Sequence, residues 1–120
     1  MDITKKIEEL KEIHPFILLE DDPNTPGDYI FFSHIKPNRF EFVDYVFDIY
    51  IIKNQLTQND LTALQELLNK LLKIQYDYFK VTDMKPLRFG EFFVTYRVTV
   101  EVNEQFDIEY AKNLLKAYDA

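Results

Sequence analysis

Cysteine and tryptophan are absent from this 120-residue chain, and glycine occurs only twice, at Gly27 and Gly90. Without cysteine there is no disulfide framework, thiolate zinc site, iron-sulfur cluster or cysteine nucleophile. Two isolated glycines build neither a Walker phosphate loop nor a dinucleotide fingerprint, each of which needs more than one at fixed spacing. Histidine is scarce as well, with His14 and His34 alone, which argues against a histidine-rich metal site. No stretch of 18 apolar residues exists, and Met1 to Glu12 alternates charge with isolated Ile and Leu instead of carrying the apolar centre of a signal peptide. These gaps predict a chain that is not secreted, has no membrane span, and owes its stability to packing.

What is plentiful is aromatic side chain: 11 Phe and 8 Tyr, 16% of the residues. Acid also outweighs base, with 21 Asp plus Glu against 14 Lys plus Arg, a net charge of −7. That surplus excludes a general nucleic-acid binder, whose affinity comes from Lys and Arg neutralising phosphates. The one basic cluster, Lys80, Lys85, Arg88 and Arg97, is diluted by Asp77, Asp83 and Glu91. A chain of this mass buries roughly two-thirds of its unfolded surface, enough for one core, so residues 1–120 are expected to form a single domain.

Periodicity sets the elements. Ile3, Ile7, Leu10 and His14 recur at helical spacing and Pro15 stops them, which predicts a helix over 2–14. Phe16 to Leu19 is a short apolar run, Glu20 to Asp28 an acidic loop by its turn residues, and Tyr29 to Ile35 a strand. After Pro37-Asn38, residues 39–52 form a long strand of β-branched and aromatic types. Val43, Tyr45, Phe47, Ile49 and Ile51 make one wholly apolar face of it. The opposite face, Phe42, Asp44, Val46, Asp48, Tyr50 and Ile52, mixes acid with apolar groups, as does a surface covered by a loop or a neighbouring subunit.

Leu61, Leu64, Leu67, Leu68, Leu71 and Leu72 stripe a helix over 57–74, opened by the capping pattern Thr57-x-x-Asp60 and closed near Lys70 and Lys73. Residues 76–84 predict a strand, Pro86 to Gly90 a turn, and 91–102 the most regular strand. In that last strand Phe92, Val94, Tyr96, Val98, Val100 and Val102 point inward; Glu91, Thr95, Arg97, Thr99 and Glu101 point outward, with Phe93 an exposed aromatic among them. A last helix covers 107–118. The expectation is an α+β fold in the order αβββαββα, with an antiparallel sheet of four or five strands and helices packed on one face.

Candidate chemistry is thin, and the reading is of a protein that is not an enzyme, with no cofactor and no metal. Ser33-His34 pairs a nucleophile type with a base type, but consecutive strand residues point to opposite faces, which predicts that the two do not bond. His14 suits a helix end. Asp44 and Asp48 share a strand face, yet four residues put them about 13 Å apart, too far for one ion. The Glu20 to Asp28 loop lacks the alternating ligands and central Gly of an EF-hand. Asp83-x-Lys85 matches the tail of the acid-x-Lys signature of Mg²⁺-dependent nucleases, a three-residue pattern followed at once by Pro86.

The long mixed strand, the Leu-rich helix with its polar first turn, the Pro86-Leu87-Arg88-Phe89 stretch and the alternating Phe92-Phe93-Val94-Thr95-Tyr96-Arg97-Val98-Thr99-Val100 run together resemble the small tail-terminator and head-tail joining proteins of long-tailed bacteriophages and prophages. The resemblance covers residues 40–102. Ahead of the long strand this chain has Pro37-Asn38 where that family is richer in glycine. The resemblance implies a homo-oligomeric ring, commonly a hexamer, that caps the tail tube and meets the head connector, in the virion or the bacterial host cytoplasm, without an active site. Asp44, Val46, Asp48, Tyr50 and Phe93 are the expected interface residues. The alternative expectation is an intracellular protein-interaction adaptor without catalysis; the Mg²⁺-dependent nuclease stands behind both.

Overall fold

A computed structural model describes residues 2–21, 23–38, 42–89 and 92–119; of the side chains, those of 89, 92–94, 118 and 119 also lie outside the description. Helix α1 (Ile3–Ile13) begins where the Asp2 carboxylate accepts the Lys5 N–H at 3.0 Å and ends at His14, ahead of Pro15. It is followed by β1 (Ile17–Leu18), β2 (Gly27–Pro37), β3 (Val43–Lys53), α2 (Gln58–Lys73), β4 (Phe79–Phe89), β5 (Phe92–Asn103) and α3 (Ile108–Asp119). The order is αβββαββα and the class α+β.

The sheet runs β1-β2-β3-β5-β4. Every pairing is antiparallel except the first: β1 lies parallel to β2, Ile17 opposite Tyr29 and Leu18 opposite Ile30. The sheet is therefore mixed, which corrects the expectation of a purely antiparallel one. Two residues carry no alternation from which direction can be read, and the intervening loop is long enough to bring the chain back alongside itself. That loop is anchored by Tyr29, whose hydroxyl donates to the Thr25 carbonyl at 2.7 Å.

β4 also runs further than the sequence suggested, through Pro86 to Phe89. Its register slips between Lys85 and Leu87, so Pro86 falls at an irregularity of an edge strand, where its missing N–H breaks no ladder bond.

All three helices pack on the same side of the sheet. Leu10 and Ile13 of α1, Leu64, Leu67, Leu68 and Leu71 of α2, and Ala111 of α3 form one buried cluster with Ile30, Tyr45, Phe47, Ile49, Ile51, Phe79, Val98, Val100 and Val102 of the strands. The inward faces of β3 and β5 thus supply the core, as their alternation predicts. Leu61 and Leu72 lie at the margins of the α2 stripe and stay 46% and 45% exposed. Lys6, on the polar side of α1 by sequence, is instead buried: its Nζ donates to the Glu104 carbonyl at 3.1 Å and to Glu9 at 3.3 Å, 5.9 Å from the Phe106 ring centre.

Candidate interaction surface

The side of the sheet away from the helices is built from the other set of alternating residues. Cross-strand register aligns it in rows: Tyr29, Tyr50, Arg97 and Lys85; then Phe31, Asp48, Thr99 and Asp83; then His34, Val46, Glu101 and Lys80; then Lys36, Asp44 and Asn103. β3 runs through its centre, so Asp44, Val46, Asp48 and Tyr50 do share this face. The backbone of Phe93 pairs with Lys53 and Arg88, but its side chain lies outside the described residues.

These four side chains are not equally available. Val46 is buried, 5% exposed, walled in by its neighbours on the sheet, and Asp44, Asp48 and Tyr50 are half-buried. Each acid is held by polar partners. Asn103 Nδ2 donates to Asp44 Oδ1 at 2.7 Å, with Asn38 Nδ2 3.3 Å from Asp44 Oδ2; Thr99 Oγ1 donates to Asp48 Oδ1 at 2.6 Å. The Tyr50 hydroxyl is pushed above its ordinary pKa by burial first and by the Asp48 charge second, with Arg97 pulling the other way. Lys36 and Glu101 form an ion pair across the face, which raises the Lys36 ammonium pKa.

At one end the same face closes over a small apolar cluster. Ile52 is fully buried there with Tyr29, against Leu19, Tyr50 and Leu87. Phe31, by contrast, is 41% exposed. The face is thus a mosaic of satisfied polar groups and apolar side chains.

Ser33 and His34 do bond, contrary to the expectation from strand alternation. β2 has a bulge between Phe32 and His34, which pair with Phe47 and Val46 in turn and leave Ser33 as the extra residue. The bulge breaks the two-residue alternation, and Ser33 Oγ stands 2.9 Å from His34 Nδ1 on an exposed stretch. No glycine marks this bulge, so nothing in the sequence announced it.

Asp83 is embraced by two cations, Lys85 at 3.6 Å and Arg97 at 3.5 Å. Among the described residues no three His, Asp or Glu side chains gather as metal ligands. His14 sits at the end of α1 as expected, and its Nε2 is 2.8 Å from Asp28 Oδ2, tying the helix to the start of β2. Sequence reasoning missed this pair, since the partners come from different elements.

Two further concavities lie near opposite ends of β4. One, of about 540 Å³, is lined by Asn38, Phe42, Asp77, Tyr78, Lys80, Asn103 and Gln105. The other, of about 470 Å³, is apolar and runs between the first turns of α2 and the end of β4. No helix among the described residues is long and apolar enough to cross a membrane. Compared with protein families, with curated proteins and with solved structures, the chain shows no significant match.

Proposed function

We propose that this chain is a structural subunit without catalysis, which self-associates into a ring and docks to neighbouring particle proteins, in the manner of a phage or prophage tail-terminator or head-tail joining protein. The observation that carries this reading is the segregation of the three helices to one side of the sheet, while the other side presents Phe31 and Tyr50 among the paired groups Asp44, Asp48, Lys36 and Glu101. An apolar and polar mosaic of that kind suits contact with another protein: the apolar groups lose water on docking, and the charges already have partners, so covering them costs less. The expected partners are further copies of the chain, the tail tube and the head connector, in the virion or the host cytoplasm.

Light scattering coupled to size exclusion, over a range of concentrations, is the test. A discrete ring, or a monomer converting to one as concentration rises, is the expected result; a monomer at every concentration sinks the ring. Phe31→Lys is the accompanying variant. Phe31 is partly exposed and a lysine there stands opposite Asp48, so thermal unfolding is expected to stay within about 1 kcal/mol of the native chain while docking through the outward face weakens.

A further inference from the structure

The apolar groove at the far end of β4 is lined by Leu56, Leu61, Leu64, Pro86, Leu87, Thr95 and Tyr96, with Arg88 as its charged lining residue. Leu56 and Leu61 are 47% and 46% exposed, more than large aliphatic side chains usually are. Within it the Thr95 hydroxyl is buried and has no hydrogen-bond partner among the described residues. An apolar trough with one unsatisfied hydroxyl matches a particular side chain: a tyrosine, whose ring is apolar and whose tip both donates and accepts.

Such tyrosines stand exposed at the opposite end of the same edge strand. Tyr78 and Tyr110, 38% and 45% exposed, flank Tyr76, their ring centres 5.5 and 4.9 Å from its own. Asp77, Asp107 and Glu109 surround them, all exposed; Lys112 pairs with Glu109 at 3.7 Å, and Lys80 lies in the adjoining cleft. Tyr78 precedes β4 and Arg88 lies near its end, about 30 Å away by strand rise. No copy can seat its own tyrosines in its own groove.

We propose that these two surfaces meet between copies: Tyr78 and Tyr110 of one chain enter the Leu56, Leu61, Leu87 groove of the next, one tyrosine hydroxyl bonding Thr95. Asp77 comes opposite Arg88, the charged residue of the groove lining. Because knob and groove are different surfaces, the contact is head-to-tail, and its repetition closes a ring if the rotation allows. This inference rests on the self-association reading above and names the surfaces that perform it. The outward sheet face is then left for the tube and connector.

The test uses two variants of the full chain, Tyr78→Ala with Tyr110→Ala, and Leu56→Glu with Leu61→Glu, all at exposed positions and checked for native circular dichroism and melting. Each alone is expected to raise the concentration needed for assembly at least about thirty-fold, the scale of one lost aromatic anchor. Mixed in equal amounts they are expected to form a dimer of one of each and nothing larger, since a single intact knob-groove pair remains. Assembly of either folded variant at the native concentration overturns the proposal, as does a mixture that stays monomeric. If the native chain itself never assembles, the ring reading fails first and takes this contact with it; if the native chain assembles and both variants do too, only the contact falls.

Discussion

His14 and Asp28 show how much a single pair can connect. Burial pushes the Asp28 carboxyl upward, but the His14 hydrogen bond, then the charges of Lys53 and His14, outweigh it and leave the pKa below the ordinary carboxylate value. One oxygen, Oδ1, is buried without a partner among the described residues, and the other holds the contact. A depressed carboxylate pKa stabilises the fold above the unfolded value and loses that contribution as pH falls through the folded one. Asp28→Asn is therefore expected to cost about 1–3 kcal/mol at neutral pH. The gap to the native chain should close as pH drops below about 4, read by urea unfolding at a series of pH values. A gap that stays constant with pH would mean that packing, not charge, holds the joint.

Helix α2 is the element best specified locally. Thr57 Oγ1 accepts the Asp60 N–H at 3.2 Å while Asp60 Oδ2 accepts the Thr57 N–H at 3.2 Å, a reciprocal capping box. The Thr57 bonds also hold the Asp60 carboxyl pKa down. Thr57→Ala is expected to destabilise the chain by about 1 kcal/mol in chemical denaturation, with an unchanged m-value. This cap, the stripe Leu64, Leu67, Leu68 and Leu71, and the alternation of β3 and β5 were all legible in the sequence, because each is set by neighbours within a few residues. What stayed hidden was non-local. The parallel direction of β1 depends on where an eight-residue loop returns, the bulge at Ser33 on the register with β3, and the burial of Lys6 on a carbonyl 98 positions away. The candidate surface was half legible: alternation put Asp44, Val46, Asp48 and Tyr50 on one face, but the hydrogen bonds of Asp44 and Asp48 come from Asn103 and Thr99 on another strand.

At the scale of the molecule, charge and apolar surface are distributed unevenly. Among the described residues of the outward sheet face four acids, Asp44, Asp48, Asp83 and Glu101, meet four bases, Lys36, Lys80, Lys85 and Arg97. That face is balanced, so the acidic surplus of the chain resides elsewhere: Glu8 and Glu12 on α1, Glu20 and Asp21 in the first loop, and Asp77, Asp107 and Glu109 around the tyrosines. If a ring repels DNA from its lumen, the acids of α1 and the first loop, and not the sheet face, must line it, since those around the tyrosines lie at the contact proposed between copies. Measuring retention of duplex DNA by the assembled protein at low and moderate salt checks the point: no retention at either is expected from a chain of net charge −7.

Helices α1 and α3 touch side by side, with Lys6 near Glu104 and Phe106, and Lys112 paired to Glu12 at 2.8 Å across 100 residues of sequence. The apolar side of the first helix made has no complete resting place until the last helix is in hand. Closing so long a loop carries an entropic cost that slows folding. Refolding after dilution from denaturant is expected in milliseconds to seconds.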